Sequence, residues 1–187
     1  RIIRWSNFVV YLLYPGLTAR QFQIFACDEI APGVHILAAD PSIHCYDDRW
    51  YTFVYGTSFL LLLYVFGIPF YTWYQLHSKK ELLMSKVRKT RQRMESTYGS
   101  LYLPYKDEYW FWECIEMMRK MILTGGMVLV APGSSAQVLW AEVICLIYLL
   151  LVLKIAPFRY DLDDWLAFAA SLQLFLVFMA AFALKTD

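Results

Sequence analysis

Apolar residues fill five stretches of membrane-crossing length in this chain, broken by short polar connections whose charge alternates in sign. Crossing roughly 30 Å of hydrocarbon at about 1.5 Å per residue takes about 20 helical residues. Residues 5–26, 51–76, 108–131, 136–156 and 162–184 meet that length. Helices are the default, because lipid offers backbone N–H and C=O groups no partner. The pattern predicts an all-α fold, a polytopic bundle of about five transmembrane helices forming one domain over residues 1–187. Residues 27–50 would form an outer loop and residues 77–107 a basic helical extension into the cytoplasm.

Charge orients these spans. Lys79, Lys80, Lys86, Arg88, Lys89, Arg91, Arg93 and Lys106 outnumber Glu81, Glu95 and Asp107 between the second and third spans, which makes that connection cytoplasmic. The first connection holds Asp28, Glu29, Asp40, Asp47 and Asp48 against Arg49 alone, as suits the opposite face. Alternation then puts Arg1 and Arg4 inside, the turn at 132–135 outside and the turn at 157–164 inside. Trp5, Trp50, Tyr51, Trp73, Trp110, Trp112, Trp140 and Trp165 fall near span ends, where an interfacial aromatic belt belongs. The composition, 59% hydrophobic with a net charge of only +1, conceals this segregation. The chain lacks an initiator Met and a signal peptide, and an odd number of spans leaves Asp187 outside, so it reads as part of something longer. The expected location is an integral, multi-pass one in the plasma or ciliary membrane.

Cys27 and Cys45 bracket the acidic loop, where an oxidising exterior would join them. Such a bridge would contribute about 3 kcal/mol in the chain-entropy model. Unbonded thiols, or a metal held by Cys27, Cys45, His35 and His44, are the competing readings, although that spacing matches no tight zinc pattern. Cys114 and Cys145 read as packing residues. Neither a resident metal nor a cofactor is expected.

Ionisable residues inside the spans need partners, since a charge near the bilayer centre costs about 2.5 to more than 10 kcal/mol. If the third and fourth spans form a hairpin about 132–135, residues at equal depth have numbers summing to roughly 268. Lys154 then lies level with Cys114, and an inner cluster of Glu113, Glu116, Lys120 and Lys154 is expected, with Arg119 spaced to meet Glu116 on the same helix. The cluster neutralises charge for packing on one reading and contacts ions on the other. Nearer the outer face Arg20 and Glu142 lie at similar depth and are expected to pair beside Gly125 and Gly126, as a clamp or as a charged constriction.

Pro15 and Gly16 predict a kink or break in the first span, as Gly67 and Pro69 do in the second. Broken helices can present carbonyls to ions, though more often they only shape packing. The arm's apolar positions Leu83, Val87 and Met94 suit one face of a helix continuing the second span. Its basic face would lie on anionic lipid, bind calmodulin or simply set topology. Nucleic acid is an improbable partner beside a membrane. Asp161, Asp163 and Asp164 complement the positive end of the fifth helix. No catalytic set converges, so an enzyme is not expected.

The runs Phe25-Ala26-Cys27, Leu37-Ala38-Ala39-Asp40-Pro41-Ser42-Ile43-His44-Cys45 and Gly67-Ile68-Pro69 resemble the C-terminal membrane region of large TRP-like proteins of algae and other protists. Tyr98-Gly99-Ser100-Leu101-Tyr102, Tyr105, Tyr109-Trp110-Phe111-Trp112-Glu113 and Arg119-Lys120-Met121 are similar to the same family. The resemblance runs from about Tyr14 to the end. It implies cysteine-rich ectodomains ahead of this region and ion-channel-like activity, by kinship with fungal TRP proteins. Two functions follow as expectations. One is a cation channel or transporter segment in which Glu113, Glu116 and Glu142 contact ions. The other is a non-conducting multi-pass anchor or assembly subunit. Its partners would be membrane lipids and other membrane subunits, in a homo- or hetero-oligomer, or the rest of a longer chain.

Overall fold

A computed structural model of the chain describes residues 2–83, 87–130 and 133–186. Arg1, Lys86, Pro132 and Asp187 lie outside the described residues, as do the side chains of Arg4 and Trp5. The chain is mostly helical. Helix α1 (Ile2–Phe22) leads into strands β1 (Cys27–Ala31), β2 (Val34–Leu37) and β3 (Asp40–His44). Helix α2 (Asp48–Leu61) passes through a π-turn at Leu62–Phe66 into α3 (Gly67–Ser78). A short α4 (Lys80–Leu83), α5 (Arg88–Tyr102), α6 (Trp112–Thr124), α7 (Ser135–Ile155) and α8 (Asp161–Thr186) complete the order.

Three helical stretches are long and apolar enough to cross a membrane: Asp48–Ser78, Ser135–Ile155 and Asp161–Lys185. Five were expected from the sequence. Helix α6 has only 13 residues, about 20 Å, before it tightens into a 3-10 turn at Gly126–Leu129. Helix α1 has the length, at 21 residues, but Arg4, Asn7, Arg20 and Gln21 lower its hydropathy.

The all-α expectation also needs correction, because the loop expected outside is a three-stranded antiparallel sheet in the order β1-β2-β3. Gly33, at φ +79°, turns the first hairpin, a conformation that side-chain-bearing residues rarely adopt. The Glu29 carboxylate accepts the Gly33 N–H at 3.1 Å across that turn. Cys27 and Cys45 are disulfide-bonded, with Cα atoms 6.4 Å apart. Leu37, Cys45 and Trp50 are buried at the sheet's base against Ile24 and Val54, which ties it to the ends of α1 and α2. Trp50 donates from Nε1 to the Ile24 carbonyl at 3.1 Å, while Asp47 caps α2 by accepting the Trp50 N–H at 2.6 Å.

The main core joins α1, α2 and α6 through Tyr14, Phe22, Leu61, Val65, Met117 and Met121. Gly125 lets α1 approach α6: a Cβ there would stand 2.2 Å from the Phe22 ring and 3.0 Å from the Thr18 methyl. Gly126, expected to share that role, would meet only Ile122 and the Met121 carbonyl near 4 Å.

Pro15 does not break α1, which is helical throughout. Pro69 does disturb its helix. Lacking an N–H, it frees the carbonyl four residues earlier, which is Val65, and the Tyr14 hydroxyl donates to that oxygen at 2.7 Å. The Gly67 N–H meanwhile bonds back to Leu62, widening the turn to π geometry. The carbonyl released by the proline is therefore consumed within the bundle. Beside it lies an apolar cavity of about 540 Å³ lined by Val65, Pro69, Phe70, Trp73, Cys114 and Met121.

The chain traverses the bundle five times between two ends. The sheet, the 3-10 turn at Gly126–Leu129 and the start of α7 share one end, where Gln137 Nε2 donates to the Met127 carbonyl at 2.7 Å. The arm and the α7–α8 turn share the other. Lys106 N–H donates to the Pro157 carbonyl at 2.9 Å and Arg159 N–H to the Pro104 carbonyl at 2.8 Å. The basic segment and the cystine loop thus occupy opposite ends, as the charge alternation requires.

The arm is not a continuation of the second span. Its helix stops at Ser78, and Lys79 leaves helical geometry at φ −111°, ψ 10°. Helices α4 and α5 fold back, so that Leu83, Leu101 and Tyr102 are buried with Leu76 and Trp110, and Met94 packs against them. Val87, expected on the same face, is 61% exposed.

Candidate functional site

The candidate site is the set of charged groups on α6 and what surrounds them. One side of α6 carries the buried Cys114, Met117 and Met121. A helix advances about 100° per residue, so Glu113 and Lys120 fall on the flank of that face while Glu116 and Arg119 lie around the far side with the buried Trp112, and all four are half-buried rather than in solvent.

Glu113 accepts a hydrogen bond from the Tyr105 hydroxyl at 2.8 Å. Tyr105 is held by an isolated β-bridge to Phe158, and its ring lies 5.1 Å from the Phe158 ring. Burial and the nearby Glu113 charge push the Tyr105 hydroxyl well above the ordinary phenol range, so it remains a donor.

One turn along, Glu116 accepts from Arg119 at 2.8 Å, and the side chains are 12% and 18% exposed. The Tyr148 hydroxyl of α7 donates to the other Glu116 oxygen, and the Arg119 guanidinium lies 4.1 Å over the Tyr148 ring. Carboxylate, guanidinium and phenol therefore close on one another, with one donor to spare: Arg119 Nε is buried without a hydrogen-bond partner. A cleft of about 360 Å³ opens beside the triad, bordered on α8 by Ser171 and Gln173.

The remaining expected site residues fall elsewhere. Lys120 is close enough to act on Glu113 electrostatically but forms no ion pair with it. Lys154 is exposed and unpaired among the described residues. The buried stripe of α7 is Ala141, Cys145, Tyr148, Leu149 and Val152, and Lys154 stands about 200° around the helix from Val152. The same geometry separates Arg20 from Glu142. Tyr14, Thr18 and Phe22 form the buried stripe of α1, and Arg20, two residues from both Thr18 and Phe22, points away and bonds to Gln23 at 3.3 Å. Glu142 is half-buried and makes no ion pair. The expected clamp is not formed.

Tyr105 and Tyr148 are the functional partners that the sequence reading missed. Positions 116 and 148 sum to 264, within a turn of the register expected for the hairpin, so the level was legible. The partner's chemistry was not, since a search for opposite charge passes over phenols. Arg119 was signalled by its three-residue spacing from Glu116.

Below the triad, the α7–α8 turn is locked to the arm. Ala156 ends α7 in the left-handed region at φ 44°, and Lys106 donates from Nζ to its carbonyl, placing a cation at the negative helix end. Asp164 accepts the Phe158 N–H at 3.0 Å, and Arg159 pairs with Asp107 at 2.6 Å. On the arm, Lys79 lies 4.4 Å over the Tyr98 ring and Lys80 5.7 Å over Trp110. Arg88, Lys89, Arg91 and Arg93 are exposed. Among the described residues no group of His, Cys, Asp and Glu is arranged to hold a metal. The disulfide takes both cysteines of the alternative metal reading, and His35 packs edge-on to Tyr46 instead.

The chain is similar to cysteine repeat modular protein A of Toxoplasma gondii, at 27% identity over 162 residues covering 80% of this chain. The match spans 5% of that protein's length. No family model and no solved structure matches the chain.

Proposed function

We propose that this chain is a multi-pass membrane anchor and assembly module, whose buried charges fasten helices together rather than conduct. The observation that carries this reading is the Glu116–Arg119 pair closed by Tyr148, in which two half-buried charges on α6 neutralise each other within the chain. All five traverses lie in the bilayer on this reading, with α1 and α6 sheltered by their more apolar neighbours. The cystine sheet faces outward and the basic arm lies on the cytoplasmic leaflet, where the exposed Arg88, Lys89, Arg91 and Arg93 suit anionic lipid. The likeness to one-twentieth of a very long cysteine repeat protein supports a module that works as one part of a larger polypeptide.

A second reading is cation conduction of the TRP-like kind, in the plasma or ciliary membrane. The polar cleft beside Glu116 favours it. One reconstitution separates the two. The anchor reading expects the protein to stay in the pellet after alkaline carbonate extraction, and its vesicles to pass no more cation than protein-free vesicles. Release by carbonate sinks membrane anchorage. A cation flux that drops in Glu116→Gln replaces the anchor by the channel.

A further inference from the structure

Of the three helical stretches of membrane-crossing length among the described residues, α8 is the least covered. Only 6% of its apolar window is buried, and α7 accounts for nearly all of its packing. Along the uncovered side, Leu162, Leu166, Ala169, Gln173, Leu176 and Ala180 recur at alternating four- and three-residue spacing, and every one is exposed. That is the spacing of a helix seam made to meet a second helix at a shallow left-handed crossing. A shallow groove follows the seam past Ala169, Gln173, Leu176 and Ala180.

Gln173 identifies the occupant. It stands near the middle of the 26-residue helix, roughly 18 Å from either end, beyond the reach of headgroups. It borders the cleft of Glu116 and Arg119 yet bonds to neither, and it makes no other hydrogen bond within the chain among the described residues. A carboxamide in hydrocarbon leaves both a donor and an acceptor unmet. Acyl chains can satisfy neither. A second carboxamide at the same depth satisfies both, and a twofold axis supplies one automatically, because residue i then faces residue i. The flanking alanines allow close approach of the two backbones.

We infer that α8 is a self-association surface, on which a second copy of this chain docks α8 against α8 with Gln173 hydrogen-bonded to Gln173 across the axis. The inference rests on α8 lying in lipid, and carbonate extraction of each variant reports on that separately.

The test uses the full chain in phosphatidylcholine vesicles, labelled with donor or acceptor dye at an exposed arm position, with energy transfer followed as the protein-to-lipid ratio rises. Self-association above the random-collision level is expected. Gln173→Leu should weaken it by about three- to thirty-fold, while Gln173→Asn retains most of it. Disulfide formation between Cys27 and Cys45 in each variant serves as the check on folding. In a second measurement, oxidation should cross-link copies carrying Ala169→Cys or Ala180→Cys, and spare Met179→Cys, which is exposed about 100° off the seam. A monomeric wild type, undiminished association in Gln173→Leu, or equal cross-linking through position 179 overturns the proposal. So does association that requires a different membrane protein.

Discussion

The two ends of the bundle are closed by different physics. At the sheet end a covalent bond and a backbone ladder hold β1, β2 and β3 against the adjoining ends of α1 and α2. At the arm end the closure is by polar side chains, on backbone or on one another: Lys106 on the Ala156 carbonyl, Asp164 on the Phe158 N–H, Tyr105 on the Glu113 carboxylate. The first kind depends on redox conditions and barely on protonation. The second depends on each partner keeping its donor or acceptor in a half-buried setting. A cystine persists where conditions are oxidising, and the proposed topology, with the sheet outside and the arm in the cytoplasm, would account for the contrast.

Reducing the disulfide, or changing Cys45→Ser, should bring the largest loss, about 3 kcal/mol from a bridge closing 18 residues. The expected readout is rapid proteolysis of residues 27–50 with the arm unaffected; equal protection of both ends under reductant would erase the contrast. Tyr105→Phe comes next, because it removes the phenol and strands a half-buried Glu113 oxygen. A loss of about 1.5–3 kcal/mol is expected, measured as a lower thermal midpoint in detergent and faster hydrogen exchange at the α7–α8 turn. An unchanged midpoint would mean that Glu113 finds its proton donor elsewhere.

The smallest effect sharpens the comparison by pH. Asp40 accepts from both the hydroxyl and the N–H of Ser42, at 2.7 and 3.0 Å, which holds its carboxyl below the ordinary range. A depressed folded-state pKa gives stability that is complete above the unfolded value and fades as pH falls through the folded one. Acid should therefore loosen the β2–β3 turn slightly, and Asp40→Asn should remove that dependence. Titration of local hydrogen exchange at Ser42 checks it; the same acid slope in Asp40→Asn would rule Asp40 out as its source.

The cystine, the separation of the loop and the arm to opposite ends of the bundle, and the shared level of Glu116 and Tyr148 were legible in the order and spacing of the residues. Hydropathy and charge alternate at a period that the sequence displays, and a hairpin about 132–135 puts Glu116 and Tyr148 within one turn of each other. The sheet was harder to see. Residues 27–50 look like a loop when only helix-length apolar runs are sought, and strands of four and five residues emerge from pairing with one another. The turn at Lys79 was hidden too, since the arm's basic residues suit a continuous helix as well as a folded-back one, and burial of Leu83 against Leu76 selects the latter.

Sequence alone set the level of each polar residue along its helix and which end of the bundle each connection occupies, since level is a sum of fixed rises along the chain. Azimuth came from packing. Arg20 and Lys154 sit at the expected levels but point outward, because the stripes through Tyr14, Thr18 and Phe22 and through Tyr148 and Val152 took the inner face. A rotation of about 200° between neighbours two apart leaves level unchanged and decides partnership. Only the assembled bundle could settle that Glu116 meets a phenol and a guanidinium of its own chain, while Gln173 finds no hydrogen-bond partner among the described residues.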